Sequence, residues 1–463
     1  MANGGGLDAI NSVVVLMLEN RSFDHMLGYL YYPGNMSPLN QPFDGLTGHE
    51  SNPGTNGEQV SVFRIEPPPP APGPNTPNAY FMPGSDPGEG YMATNDQLYG
   101  NNNGPASAGL AAPGQGFVTN FGYTLGWQSK EPAQWPILSG TVEGDIMGCY
   151  TPEALPVLSA LAKGYAVCDQ WFASVPTETL PNRAFALAAT SQGHMDDKTH
   201  TFSSPTIFGL LDAANPPLGW AVYGYDKEAL TKSTFTQISN ADASHFGLFT
   251  DFQAAAKAGT LPPFTFLEPS WGSEGNSQHP NYDVALGEQL IHDVYEALLT
   301  GPGWPGTLLI ITYDEHGGCY DHVSPPWGAV PPDDDAGEFG FGFNRFGIRV
   351  PTVLVSPLIQ AGTVYRVPST GMPLDHTSIL ATVEQRWKLP NLTERDKAAP
   401  AFGDVLTLTT AREDNVLATV TVPPASGPGP AAGTLSHMVS VRTELIARRL
   451  PAGAPNAPLP TQG

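Results

Sequence analysis

An α/β layered sandwich, with a mostly parallel central sheet flanked by helices, is the fold class this sequence predicts. Three observations point to it. Short aliphatic runs recur and read as buried strands: "SVVVLML" (12–18), "FTFLE" (264–268), "TLLIITY" (307–313) and "VPTVLVS" (350–356). Segments with helical apolar spacing lie between them; in "DVALGEQLIHDVYEALL" (283–299), Val284, Ile291, Val294 and Leu298 share one stripe. The alternation itself is what crossover connections between parallel strands require.

Taken in order, the first strand hands over to a helix in which Phe23, Met26, Leu27 and Leu30 fall on one face. Residues 64–90 are a Pro/Gly-rich loop with no core pattern. "TPEALPVLSALAKG" (151–164) predicts a helix with Thr151 as its cap, Pro152 at the first helical position and Gly164 as its stop. "YAVCDQWF" (165–172) predicts the next strand, and "RAFALAAT" a short helix after Pro181. "WAVYGY" (220–225) is strand-like. "TSILATVEQRW" (377–387) predicts a helix with Ile379, Leu380, Val383 and Trp387 inward. Residues 1–415 read as the main domain. Residues 416–463, rich in Pro, Ala and Gly, read as a C-terminal appendage carrying one candidate helix, "SHMVSVRTELIARRL".

The composition narrows the function. With 51 Gly and 48 Pro among 463 residues, loops are long, and long loops on a rigid scaffold often carry function. The 20 Lys+Arg against 44 Asp+Glu leave a net charge of −24. That excludes nucleic acid as the expected partner, because binding it relies on neutralising phosphates. It also opposes long-range attraction to anionic membranes. Cys149, Cys168 and Cys319 cannot all pair and show no CxxC spacing, so no disulfide framework is expected. No run approaches the ~18 apolar residues of a membrane span. The first residues lack a cationic leader region, so the expected location is cytoplasmic as given, or secreted or periplasmic if a leader was removed.

Two of the aliphatic strands end on oxygen donors: Glu19-Asn20 after 12–18 and Asp314-Glu315 after 307–313. In open α/β sheets ligands bind outside the carboxyl ends of the strands. Either these are ordinary polar strand ends or they share a cation. Hard oxygen ligands suit Mg²⁺, Ca²⁺ or Mn²⁺, and a neighbouring imidazole widens the choice to Zn²⁺ or Fe. His25, His279, His316, His322 and His376 are flanked by Asp, Gly or Pro in loops after strands. A third element, "SVPTETLPNRAFALAAT" (174–190), sets Thr179 just before a helix that Pro181 would start. Backbone N–H groups there favour a phosphate, and a hydroxyl beside a divalent cation ionises readily and acts as a nucleophile. Asn182 and Arg183 suit the oxygens of a transferring group. The plain alternative is Thr179 as a helix cap worth about 1 kcal/mol, with Arg183 in a salt bridge.

"ENRSFDHMLG", "DQWFASVPTETLPNRAFALAATS", "HPNYDVALGEQLIHDVYEAL", "IITYDEHGGCYDHVSPP", "FGIRVPTVLVSP" and "DHTSILATVEQRW" together resemble the phosphoesterase family of bacterial and plant non-specific phospholipases C and AcpA-type acid phosphatases. That family belongs to the alkaline-phosphatase-like superfamily, and the blocks run in family order over roughly residues 10–400. The resemblance implies an alkaline-phosphatase-like domain and one divalent metal ion (Ca, Mg, Mn or Zn) on Glu19, Asn20, Thr179, Asp314 and Glu315. It also implies Thr179 as nucleophile and His279 at the phosphoryl group or leaving oxygen. His322 and His376 match further family histidines, expected in the catalytic set. Asn182, Arg183, Glu89 and His316 are expected around the phosphate. Where family members read DPGH, this chain reads "SDPGEGY", which puts Glu89 at the histidine's position. A carboxylate there repels an anion unless it is protonated, holds another cation or meets a cationic head group such as choline.

The expected function is therefore metal-dependent hydrolysis of phosphoric esters through a phosphothreonine. Phospholipase C-type action on phospholipids or related phosphodiesters leads, with peripheral membrane contact as an accompanying expectation. Acid phosphatase action on small monoesters is the alternative, as is a metal- or phosphate-binding protein with weakened catalysis. Thr179, both acidic pairs and His279 argue against binding alone. A sulfatase is disfavoured because threonine cannot become the formylglycine that Cys or Ser would.

Overall fold

The computed structural model describes residues 6–68, 79–368, 371–434 and 436–448. The central sheet has eight strands: β1 (Ser12–Leu18), β2 (Ala166–Val167), β3 (Trp220–Gly224), β4 (Phe246–Leu248), β5 (Phe264–Glu268), β6 (Thr307–Tyr313), β7 (Thr352–Val355) and β8 (Thr363–Val364). Their order is β8-β2-β7-β6-β1-β5-β3-β4. Only β7 runs against its neighbours, antiparallel to β6 and β2. The fold is thus the mostly parallel α/β sheet that the sequence predicts. Helices that bear on the site are α1 (Phe23–Leu27), α2 (Tyr91–Tyr99), α3 (Phe117–Gln128), α4 (Pro156–Gly164), α5 (Thr179–Ala188), α6 (Val284–Leu299), α7 (Thr377–Trp387) and α8 (His437–Ala447).

Every residue of β1 and β6 is buried. A fully buried Val, Leu or Ile is worth roughly 1.5–3 kcal/mol, so these two strands anchor the core. Their register matters most for function. Ser12 pairs with Thr307 and Leu18 with Tyr313, in parallel. Both strands therefore run out in step, and Glu19 leaves the sheet beside Asp314.

The structure differs from the sequence expectation where polar groups intervene. Residues 165–172 do not form one strand. Ala166–Val167 join the central sheet, and Trp171–Phe172 pair with Leu374–Asp375 in a separate ladder. Between them Asp169 is buried, and its carboxylate takes hydrogen bonds from Arg366 at 2.7 and 2.6 Å and from Asp44 N at 2.7 Å. A buried carboxylate must turn toward its donors, which breaks the strand. Helix α4 begins at Pro156 and not at Pro152, because Glu288 of α6 accepts from Val157 N (2.6 Å) and Leu158 N (3.1 Å) and supplies the cap from another element. Helix α5 begins at Thr179 itself, with Glu178 at the N-cap position.

In the stretch 64–90, residues 69–78 lie outside the described residues; Ile65, Tyr80, Phe81 and Met82 are buried, so the remainder contributes to the core. After residue 416, Leu417 packs into the main core, and α8 buries Met438, Val441 and Leu445 against Leu180, Leu230 and Trp271. Residues 449–463 lie outside the described residues. Among the described residues, no helix is long and apolar enough to cross a membrane.

Candidate active site

Strand register delivers the first donors, and local backbone completes them. Asn20 adopts a left-handed conformation (φ 56°), which asparagine tolerates, and its N–H donates to Asp314 Oδ1 at 3.0 Å. Glu315 N donates to the same oxygen at 2.8 Å, and Gly317 N to Glu315 Oε2 at 2.7 Å. Gly317 is required: at φ +62° a Cβ would lie 2.0 Å from Asn20 O.

Thr179 stands on the first residue of α5, buried, and its hydroxyl donates to Asn20 Oδ1 at 3.2 Å. One turn on, Arg183 Nε binds Asp314 Oδ2 at 2.8 Å, and Nη2 donates to Met17 O and Leu18 O at 3.1 and 3.0 Å. The guanidinium also stacks over Trp271 at 4.4 Å. Arg183 thus locks α5 to the ends of β1 and β6, and only Nη1 remains without a partner among the described residues. Asn182, expected at the phosphate, is spent otherwise. Its amide donates to Val175 O, Thr177 O and Glu178 O and accepts from Val175 N. It braces the loop that presents Thr179.

The histidines separate by partner. His279 lines the cavity described below; its Nδ1 meets Pro280 O at 3.0 Å and its Nε2 faces Asp86 Oδ1 at 3.9 Å. A carbonyl only accepts, so Nδ1 carries hydrogen and Nε2 is the nitrogen free to exchange a proton. His316 lies behind Glu315, with Nε2 at 2.8 Å from Gln97 Oε1 and Nδ1 at 3.1 Å from Glu315 Oε2; burial pulls its pKa down to about 3. His376 is buried, and burial lowers its pKa. Trp171 Nε1 donates to its Nδ1 at 3.4 Å, so its Nε2–H donates to Asp314 O at 2.6 Å. With both nitrogens engaged it holds the Asp314 backbone and has none left for substrate, contrary to the expected catalytic place. His322 departs further. It sits between Asp24 (2.6 Å) and Asp44 (3.3 Å), beside the buried pairs of Arg349 with Asp24 and Asp321. Burial lowers its pKa, but Asp24 and Asp44 outweigh burial and raise it to about 10, so it is a cation of a structural ion network. His25 is buried against Arg21 and Tyr150.

Thr179 and His279 open onto one cavity of ≈ 760 Å³ that Glu19, Asp86, Glu89, Glu178 and Asp197 also line. Burial raises all five carboxyls. Glu19 is pushed up to about 7, Asp197 to about 7 and Glu178 to about 8. Glu89 and Glu315 go well above the carboxylate range, through burial and then the charges around them: Glu315 and Asp86 for the first, Asp314 for the second. Glu89 Oε2 accepts from Asn20 Nδ2 at 2.6 Å, so the expected phosphate contact is instead a brace on Asn20.

The family model described as "Phosphoesterase family" matches residues 10–390. The chain belongs to the Phosphoesterase family. Non-specific phospholipase C6 of Arabidopsis thaliana is 37% identical over 424 residues, 88% of this chain and 74% of its own. Non-specific phospholipase C4 of the same plant is 36% identical, over 89% of this chain and 74% of its own. Phospholipase C A of Mycobacterium tuberculosis is 27% identical, over 84% and 75%. A solved protein of the alkaline phosphatase superfamily from Vibrio parahaemolyticus overlaps 57% of this chain and 67% of its own, at 15% identity and a TM-score of 0.32; the fold assignment rests on the sheet itself. The chain is a phosphoric ester hydrolase.

A divalent cation fits this phosphoesterase site. Glu19 Oε1 and Glu315 Oε1 are buried with no hydrogen-bond partner among the described residues, an expensive state for carboxylates unless something holds them. Asp314 Oδ1 already accepts two N–H groups, which leaves Oδ2, shared with Arg183, for a metal. Among the described residues, three tighter groups have ligating atoms within 4.8 Å of one another: Asp86–Glu89–His279 in the cavity, Asp24–Asp321–His322 and His194–His200–Glu338. None coincides with the expected ligand set.

Several residues of the site escape sequence reasoning. Arg21, fully buried, donates to Gln278 O (2.6 Å), Met82 O (2.7 Å) and His279 O (3.0 Å), and so fixes the histidine loop. It lies inside the "ENRSFDH" block, where its neighbours drew attention first. Glu178 adjoins Thr179, and Asp86 lies three residues before Glu89. Asp197, which accepts from Leu180 N at 2.6 Å, carries no motif signal.

Proposed function

We propose that this phosphoesterase is a phospholipase C-type phosphodiesterase acting through a phosphothreonine at Thr179, with one divalent cation (Ca, Mg, Mn or Zn) held by Glu19, Asn20, Thr179, Asp314 and Glu315. The observation that carries the reading is the Thr179 hydroxyl, bonded to Asn20 at the edge of a carboxylate-walled cavity. The relatives' names, non-specific phospholipase C and phospholipase C, support the substrate class. When bound, the cation supplies Lewis acidity and the positive charge that a phosphate needs beside so many carboxylates.

The chain's own groups carry the steps. Thr179 Oγ1 loses its proton to cavity water and attacks phosphorus in line. The Oγ1–P bond forms and the bond from phosphorus to the glycerol oxygen breaks. His279 gives its Nε2 proton to the departing diacylglycerol oxygen. A water then attacks the phosphothreonine, His279 takes its proton, and the phosphorylated head group leaves. Asp86 faces His279 Nε2 at 3.9 Å and orients the ring that gives its proton in the first step and regains one in the second. Arg183 acts at one remove, by holding Asp314.

The test is a panel of phosphatidylcholine, a phosphomonoester and a soluble phosphodiester, assayed after chelation with each divalent ion restored singly. Diacylglycerol and phosphocholine released from phosphatidylcholine are expected. Hydrolysis of the monoester alone would move the protein to the acid phosphatases. No turnover on any of them would leave a binding protein.

A further inference from the structure

The cavity mouth carries an unusual pair of features. Three large apolar side chains stand on its rim and face solvent: Met92 (50% exposed), Trp127 (45%) and Phe339 (53%). They come from three separate segments, and two are held by aromatic neighbours. Trp127 meets Trp135 edge-on at 5.1 Å, and Phe339 stacks on Tyr91 at 5.3 Å with an 8° interplanar angle. Phe339 holds a left-handed backbone (φ 58°), an unfavoured conformation for a bulky side chain. A single exposed apolar residue needs no explanation, but a ring of them around one opening does.

Just inside the rim the lining turns acidic, with Asp86, Glu89, Glu178, Asp196 and Asp197. Among the described residues, Lys198 is the only Lys or Arg that lines the cavity, and it is paired to Asp196. The chain as a whole carries −24. An anionic surface would be repelled, whereas an apolar one bearing cationic groups at its face would be attracted. Tryptophan and other aromatic side chains favour the boundary between head groups and acyl chains.

We propose that Met92, Trp127 and Phe339 seat the cavity mouth on a zwitterionic lipid surface, whose outward ammonium groups suit a chain of net charge −24. The proposal rests on the reading of phospholipid as substrate. It adds the orientation of the protein on the lipid and the class of lipid it meets. The apolar rim enters the boundary layer, and one head group passes inward toward Thr179. Anionic lipid is disfavoured by the net charge of −24 on the chain.

The test uses sedimentation of the full chain with vesicles of a phosphonate analogue of phosphatidylcholine, in which carbon replaces the scissile glycerol oxygen. Wild type is compared with Met92→Gln/Trp127→Gln/Phe339→Asn, asparagine being chosen because it tolerates the left-handed backbone. The wild type is expected to pellet with these vesicles. The variant should partition at least about tenfold less while hydrolysing a soluble phosphocholine ester within about twofold of wild type. Equal pelleting of the two proteins overturns the proposal. So does a wild type that does not pellet, that instead self-associates through the rim, or that prefers phosphatidylglycerol vesicles. Should the triple variant lose its circular dichroism, quenching of wild type and Trp127→Phe by brominated phosphatidylcholine decides; quenching undiminished in Trp127→Phe overturns the proposal. Vesicle binding is read without turnover, so docking can fail while the soluble ester is still cleaved, and the phospholipase reading can fail while docking holds.

Discussion

The hydroxyl of Thr179 donates to the side-chain oxygen of Asn20 across 3.2 Å, although 159 residues separate them in the chain. Two independent constraints produce the contact. The β1/β6 register carries Asn20 to the edge of the sheet beside Asp314, and Arg183 on α5 binds that same Asp314. Thr179 is therefore positioned by an ion pair one helical turn away, and disturbing either partner should be felt at both.

Asp314→Asn tests that coupling. The substitution keeps the volume but leaves the Arg183 guanidinium buried without its counter-charge. We expect a loss of about 3 kcal/mol in unfolding free energy. Chemical denaturation checks this, and elemental analysis of the purified variant should show less bound divalent metal than wild type. Unchanged metal content would remove Asp314 from the ligand set.

His279→Ala should discriminate by leaving group. A lipid alkoxide needs a proton as it departs, and we expect a loss of roughly 10²–10⁴ in kcat on phosphatidylcholine. Nitrophenolate leaves without one, so turnover of a nitrophenyl phosphodiester should fall far less in its first step. Equal losses on both substrates would count against His279 as the acid.

Cation affinity should rise with pH. Burial pushes Glu19 up to about 7, and two neighbouring carboxyls at the cavity, Asp197 and Glu178, up to about 7 and about 8. A cation binds the deprotonated carboxylates and so displaces their protons. Calorimetric titration at pH 5.5 and at pH 8.5 should show weaker binding with proton release at the lower value, and tight binding with little release at the higher. An affinity independent of pH would separate these carboxylates from the cation.

Stability should respond in the opposite sense. Burial holds Glu288 at about 8 against an ordinary 4.5. A carboxyl raised on folding keeps its proton in the native state after the unfolded chain has lost it. Its contribution is present below pH 4.5 and is lost as pH rises toward 8. Glu288→Gln, which retains an acceptor for one of the two α4 amides, should flatten the fall in melting temperature across that window, with or without divalent ions. The same slope in variant and wild type would show Glu288 ionised throughout.

The centre of the sheet was legible because its strands are buried on both faces and read as aliphatic runs, and β1, β5 and β6 have the bounds their residues imply; the short, partly exposed edge strands β4 and β8 carry no such run. The two acidic pairs were legible for the same reason, as polar groups at the ends of those runs. What failed depends on partners remote in sequence. Helix α4 starts late because Glu288, 131 residues on, caps it. His322 and His376 look like catalytic histidines in sequence, and only the positions of Asp24, Asp44 and Trp171 reveal that their nitrogens are already occupied. Asp197 stands in no motif, and its place at the cavity follows from the fold of the loop after α5.

Covalent chemistry at Thr179 is the centre of the proposed mechanism. The direct measurement is rapid acid quench of enzyme turning over a phosphodiester, followed by peptide mass spectrometry of residues 174–190. The expected result is a peptide carrying the phosphorylated head group, or phosphate, on Thr179, formed within one turnover and absent from Thr179→Ala. Efficient turnover by Thr179→Ala, or steady hydrolysis by wild type with no modified peptide at any quench time, would contradict it.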